Sequence, residues 1–440
     1  MTLSLQKNDT ELLRPRSADL YRRAQQVMPG GNSRVTIFFP PHPPYADHGS
    51  GCRITDVDGV ERIDFVNNYS SLIHGHCPPA IVEAVRRQVG DLFAVGLPTE
   101  SEIDLAELIT GRVASIEHIR FANSGTEGVM FAVKAARAFT GRPKIAKIEG
   151  AFHGSYDPSE TSLASTPENW GGIDRPAAVA LCHGTPASSL ADTVVIPHNN
   201  VEVSRRLLRE AGEQLAGVLI DPLPSRLHFM GTSPEFLAML REETERLGAL
   251  LIFDEVYSFR LGFGGAQEAL GIRPDLTALG KIIGGGMPVG AVGGRADVMR
   301  VFVEGGPKLV HGGTYNANPV TMVAGRTAME MLDREAFARL ERLGDRLRAG
   351  MAEILARRGI AGTVRGQGSL ASIRFSDKPA NDYRDIVTDG ADMELAARLH
   401  RGLLDSGIFC TSTLLFILST PMDEAVIDTA LERIDAVLAA

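Results

Sequence analysis

The chain has 440 residues, 44% of them hydrophobic and 22% charged, with a formal net charge of -9. That length supports one large domain and a smaller one, each with its own core. The acidic balance excludes a general nucleic-acid or anionic-membrane binder, which carries a basic footprint, and no apolar run is long enough to span a bilayer.

The N-terminus, MTLSLQKNDTELLRPRS, has no apolar core segment and carries acids early, so no secretion signal is read and its first fifteen or so residues are expected to be a loose arm. The four cysteines, Cys52, Cys77, Cys182 and Cys410, lack metal-ligand spacing. Reduced thiols in a cytoplasmic protein without a metal site are the expectation. A helix follows over SADLYRRAQQVMPGG, with Ser17 as its cap and Gly30 and Gly31 as its stop. GCRITDVDGVERIDFV alternates around Asp58-Gly59 and predicts a β-hairpin.

From about residue 80 helical periodicity takes over, and then short apolar runs alternate with helices. HIRFANSG leads into GVMFAVKAARAFTG. KIAKIEG, DTVVIP, AGVLIDP and ALLIFDEV are further strands, and SPEFLAMLREETERLG is a helix with Ser233 as cap and Pro234 at its first position. DLTALGK and PVGAVGG continue the series. Continuously apolar strands separated by helices predict a mainly parallel α/β sheet covered on both faces. Residues 76–318 are expected to be this large domain. Residues 319–440, which mix helices with strands such as GSLASIRF and FILST, are expected to form a small α/β domain with the segment 1–75.

Four segments hold residues with chemical potential. Asp254 ends a strand buried on both faces, where open α/β sheets place ligands, and a carboxylate there needs a cationic partner. Taken alone it also fits a helix cap. Lys281 stands at the end of the next apolar run and faces a glycine cluster. Apolar neighbours disfavour its charged form and make it a better nucleophile towards carbonyls, whereas a lone lysine is more often a surface one. NSGTEG, Asn123 to Gly128, lies between a strand and a helix N-terminus and suits an anion. GAFHG places Phe152 and His153 after another strand, for ring stacking or for plain core packing. Together these parts match what pyridoxal phosphate needs: a Schiff-base lysine, an acid for the ring nitrogen, phosphate donors and an aromatic plate.

On MPGGNSR, TDVDGVERIDFV, NSGTEG, GAFHG, LIFDEV, DLTALGKIIGGGMPVGAVGG and HGGTYNANP, the chain resembles the class III pyridoxal-phosphate aminotransferases of fold type I, from about Tyr21 to its end. Within the class it is most similar to the glutamate-1-semialdehyde 2,1-aminomutases and the related β-amino-acid and amine aminotransferases. The resemblance implies a large domain with a mainly parallel seven-stranded sheet plus a small α/β domain. It implies pyridoxal 5'-phosphate as cofactor, with Lys281 carrying it and Asp254 at its ring nitrogen. Ser124, Gly125 and Thr126 would hold its phosphate, and Phe152, His153 and Val256 would line it. Thr314 would reach the phosphate of the neighbouring subunit of a homodimer. Arg34 would bind a substrate carboxylate. Phe38, Phe39, Tyr69, Tyr257 and Thr413 are candidate substrate contacts, while Arg260 and Arg365 stay undecided between a substrate carboxylate and plain pairing.

Two segments depart from the family pattern. In IDPLPSRLHFMGTSPEF, Asp221 takes the place of a glutamate, and Arg226, Leu227, Phe229 and Met230 are bulky. In FCTSTLLFILST the arginine or the Phe-Glu-Ala-Gly of relatives is missing. Lost charge and added apolar surface favour amines or hydrophobic β-amino acids as donors, with a 2-oxo acid or other carbonyl as acceptor. The aminomutase is the alternative. A nicotinamide-dependent oxidoreductase is disfavoured, because no Gly-x-Gly-x-x-Gly opens a helix after the strand. Intact Lys281 and Asp254 argue against a catalytically silent relative.

Overall fold

The computed structural model describes residues 14–303 and 309–440, so most of the arm expected at the N-terminus lies outside the described residues. The apolar runs form a seven-stranded sheet in the order His118–Ala122, Gly290–Gly294, Leu276–Gly280, Leu250–Asp254, Leu215–Ile220, Lys144–Ile148, Thr193–Ile196. Only Gly290–Gly294 runs antiparallel to its neighbours. Every residue of the three strands starting at Leu215, Leu250 and Leu276 is buried. Helices cover both faces, so no polar alternation is needed. On one face the helix Gly125–Thr140 packs Phe131, Ala132 and Ala135 with Leu276, Ala278 and Val292. On the other, Leu207 and Leu208 of Val201–Ala211 and Phe236 and Leu240 of Pro234–Leu247 meet Val218 and Leu251. Ser233 caps the latter helix as expected, its Oγ accepting the Phe236 N–H at 3.2 Å.

The hairpin at Asp58-Gly59 forms between Arg53–Asp56 and Glu61–Asp64. Asp56 Oδ1 accepts the N–H groups of Asp58 and Val60, and Gly59 takes a φ of 84°. Glu61–Asp64 also pairs in parallel with Ile408–Phe409, so the two ends of the chain share one sheet. Thr363–Arg365, Leu370–Arg374 and Leu415–Ile417 make a separate antiparallel sheet.

Ser17 is not a cap. The first helix runs Pro15–Val27, and Ser17 lies buried in its first turn. Asp58 of the hairpin supplies the cap instead, accepting the N–H groups of Arg16 and Ser17 at 2.8 and 3.0 Å. A carboxylate from a distant turn serves the helix terminus as well as a local hydroxyl would. Among the described residues no helix is long and apolar enough to cross a membrane, and no group of three or more His, Cys, Asp or Glu is placed to hold a metal ion.

Candidate active site

Parallel strands carry their C-terminal ends to one edge of the sheet, and the chain places polar residues just beyond Ala122, Ile148, Ile220, Phe253 and Gly280. A cavity of about 430 Å³ opens there. Its lining includes Arg34, Tyr69, Ser124, Gly125, Thr126, Phe152, His153, Asp254, Val256, Tyr257 and Lys281, which the sequence had scattered over 248 positions from Arg34 to Lys281 counted inclusively (281 − 34 + 1).

Lys281 follows Leu276–Gly280 with a φ of 50°, a left-handed conformation that costs a non-glycine residue about 1–3 kcal/mol. Its Nζ lies 4.7 Å from the centre of the Tyr257 ring. Burial lowers its pKa, against the charges of Asp254 and Asp221, so a reactive neutral amine is easier to reach than on a surface lysine. Asp254 Oδ2 lies 2.8 Å from His153 Nδ1, and Oδ1 accepts the Val256 N–H at 3.0 Å. A carboxylate only accepts, so Nδ1 carries the hydrogen. Burial holds the His153 pKa down even against Asp254, and its Nε2 has no partner among the described residues.

Ser124 is the N-cap of Gly125–Thr140. Its Oγ accepts the Glu127 N–H, and Glu127 Oε2 accepts the Asn123 N–H at 2.7 Å. With the Ser124 hydroxyl engaged as the cap, the first-turn N–H groups of Gly125 and Thr126 are the natural anion donors. Gly290 lies against this turn so closely that a Cβ would fall 1.8 Å from the Ser124 carbonyl oxygen, so no other residue fits there. Phe152 stands 48% exposed at the rim, a flat apolar face turned towards the opening rather than into the core. The donor set fits pyridoxal phosphate: N–H groups for a phosphate, a carboxylate for a ring nitrogen, an aromatic wall and a partly buried amine for an aldehyde.

The segment Asn67–Ser70 carries Tyr69 into the cavity with four consecutive positive φ values of 48, 47, 53 and 76°. Such a left-handed turn persists only when its surroundings enforce it. Asn67 Nδ2 donates to Asp64 and Ile417 carbonyls at 3.0 and 2.7 Å, and Arg260 Nη1 donates to the Ser70 carbonyl at 3.1 Å. Arg34 Nη1 then donates to Asn68 Oδ1 at 2.8 Å, and the Tyr69 hydroxyl to the Thr36 carbonyl at 2.7 Å.

Several expectations need correction. Arg260 neither faces substrate nor pairs at the surface. It is fully buried and braces Ser369, Ser70 and Leu418, with burial pulling its pKa down to about 10. Phe38 packs against Tyr21, and Phe39 against His400 and Phe409, and neither is among the residues lining the cavity. Thr413 is exposed and outside the cavity lining. Thr314, expected at a neighbouring subunit's phosphate and so not within the lining of a single chain, is exposed. Leu227, Phe229 and Met230 fill clusters with Tyr383, Ile386, Leu370 and Leu415 instead of walling the cavity. Leu414 and Phe416 are likewise core. Arg365 donates to the Ala380 carbonyl at 3.1 Å. Of the glycines after Lys281, only Gly286 lines the cavity, while Gly285 admits the helix Pro319–Glu330, a Cβ there lying 2.3 Å from the Ala324 carbonyl.

Asp221 belongs to the site although the sequence marked it only as a departure. It ends an apolar strand as Asp254 does, and that shared signal was available. It is buried, lines the cavity and accepts the Leu223 N–H at 3.0 Å. Burial, joined by the charge of Asp254, pushes it up to about 8. Its native value lies above the unfolded 3.8, so the native state binds the extra proton and loses stability as pH rises from about 4 to about 8. Asp221→Asn keeps an acceptor for Leu223 and cannot ionise. Its melting temperature is expected to gain on the parent's at about pH 9 relative to about pH 5, by about 2 °C or more. Thermal denaturation at both pH values checks this, and an equal difference at the two would count against it.

The class III aminotransferase family profile matches residues 40–438. A glutamate-1-semialdehyde 2,1-aminomutase of Aquifex aeolicus is 41% identical, the match covering 95% of this chain and 98% of that one. Among solved structures, an omega-transaminase from Sphaerobacter thermophilus is 50% identical with a TM-score of 0.94, covering 96% of this chain and 97% of that one. A β-phenylalanine aminotransferase from Variovorax paradoxus is 33% identical with a TM-score of 0.88, covering 98% and 96%. The fold is that of the fold type I transferases, whose members of this class use pyridoxal 5'-phosphate. The chain belongs to the class III aminotransferases.

Proposed function

We propose that the enzyme moves an amino group from an amine or a hydrophobic β-amino acid to a 2-oxo acid or other carbonyl acceptor, in two half-reactions at one site. The observation that carries this reading is the 50% identity over nearly the whole chain to an omega-transaminase. The cavity supports it. Apart from Lys281, its lining offers one guanidinium, Arg34, beside Tyr69, Tyr257, Phe152 and Met287. One carboxylate beside an apolar group suits that wall, and a dicarboxylate would need a second cation. Pyridoxal phosphate, when bound, supplies an aldehyde for amine exchange and an electron-accepting ring. Lys281 would hold it, and its amine would take the proton from the amine-bearing carbon. Asp254 would keep the ring nitrogen protonated, Gly125 and Thr126 would bind the phosphate, and Phe152 would supply an aromatic wall for the ring. The active unit in this reading is a dimer, with Thr314 reaching the partner's phosphate. Phe93, Leu97, Val310 and Tyr315, all exposed, supply apolar surface for such an interface.

A second reading is glutamate-1-semialdehyde 2,1-aminomutase. The curated relatives carry that name, at 36–41% identity, and they weigh for it more than the apolar residues of 221–230 and 413–416 weigh against it, since those residues do not face the cavity. A donor panel of 1-phenylethylamine, β-phenylalanine, β-alanine and glutamate-1-semialdehyde decides. Efficient turnover of the last alone would install the aminomutase. Arg34→Ala is expected to raise KM for β-phenylalanine about 10–100-fold, the loss of a charged hydrogen bond, and to leave 1-phenylethylamine within about two-fold. Steady-state kinetics on both donors checks the Arg34 role.

A further inference from the structure

Lys147 lies on Lys144–Ile148 and is fully buried, yet the chemistry above makes no use of it. Lysine is almost never fully buried without a paired charge. Its Nζ donates to three backbone carbonyls, Ile148 at 3.1 Å, Ala151 at 3.2 Å and Thr161 at 2.7 Å. An ammonium has three N–H donors and no acceptor, so these three carbonyls satisfy it completely, and a neutral amine would leave one of them bare. The nearby carboxylate, Glu149, is committed to Arg384 at 2.8 Å and to the Ser165 hydroxyl at 3.0 Å. Burial pulls the Lys147 pKa down to about 7, with Glu149 acting against it.

The positions of the three carbonyls carry the argument. Ile148 ends the strand, Ala151 immediately precedes Phe152 and His153, and Thr161 lies on the return of the same excursion, after the short helix Asp157–Glu160. The ammonium therefore ties the outgoing and returning limbs of the loop that carries both residues. The Gly150 N–H, donating to the Ser162 carbonyl at 2.8 Å, closes the same neck. Beyond the neck, His153 reaches Asp254 and Phe152 stands at the cavity rim.

We propose that Lys147 is a positioning residue for the coenzyme end of the site: its buried ammonium clamps the 148–161 loop and so sets the Phe152 face and the His153–Asp254 contact. This rests on the reading of Phe152 and His153 as coenzyme neighbours. A purely structural lysine would affect stability alone, so the test reads coenzyme binding. Lys147→Met holoenzyme is expected to bind pyridoxal phosphate about ten-fold or more weakly and to lose visible circular dichroism of the bound coenzyme. Lys147→Gln, which keeps two N–H donors, is expected to fall between Met and wild type, and it serves if the Met protein does not fold. Phe152→Leu is measured in parallel. If it weakens coenzyme binding while both Lys147 variants stay within about two-fold of wild type in affinity and dichroism, the clamp is wrong and the coenzyme reading stands. If all three leave binding unchanged, both fall.

Discussion

Lys281→Ala is expected to lose amino transfer by about 10⁴-fold or more in kcat, because in the proposed function the same amine would both carry the coenzyme and move the substrate's proton. The purified variant is also expected to lack the visible absorbance that borohydride abolishes in the parent. Loss of folding is not the expected cause. The amine is only partly buried, its charged form is disfavoured by desolvation although Asp254 and Asp221 act against that, and alanine can keep the left-handed backbone that Lys281 already bears at a φ of 50°. The melting temperature of the variant should therefore stay within about 5 °C of that of the parent freed of coenzyme. Retention of amino transfer above about one part in a hundred of the parent rate would remove Lys281 from the chemistry.

Asp254→Asn is expected to lower kcat by about 10²–10³-fold, the usual cost of removing one preorganised charge from a buried site. Asparagine keeps an oxygen for the Val256 N–H, so the end of the strand need not move. It presents an amide N–H or a neutral oxygen to His153 Nδ1, and it no longer places a negative charge opposite a ring nitrogen. A second consequence separates this effect from misfolding. The Asp254 charge is one of the causes that hold Asp221 up near 8. Without it the loss of stability assigned to Asp221 still starts near pH 4 but should end at a pH below about 8. Melting temperatures of Asp254→Asn measured from about pH 4 to about pH 9 test the coupling, and an unmoved upper end of the decline would show that the two carboxyl groups do not sense each other.

The seven-stranded sheet was legible because its signals are local. Continuous apolar runs with capped helices between them, such as ALLIFDEV after the helix capped by Ser233, announce a covered parallel sheet. Lys281, Asp254, the Ser124 turn and Phe152–His153 were legible for a related reason: each directly follows a strand, and parallel strands all end on one edge. Asp221 carried the same signal and differed only in departing from the family pattern. The Ser17 cap misled because the competing acceptor, Asp58, is distant in sequence and adjacent in space. The bulky residues from Leu227 to Met230 misled in another way. Their apolar character was plain, but whether they wall the cavity or fill the junction with Leu370, Leu415 and Tyr383 depends on which surface lies opposite.

By itself the order of residues determined the parallel sheet, the edge on which its polar groups gather and the amine, carboxylate and anion turn among them, since strand direction and helix caps are set by neighbours in the chain. Only the tertiary structure decided that Asn67–Ser70 turns left-handed to deliver Tyr69, that Arg260 braces that turn instead of meeting substrate, and that Lys147 clamps a loop from within. Those outcomes depend on partners such as Ile417, Leu418 and Thr161, whose approach is governed by packing between distant segments and leaves no local pattern to read.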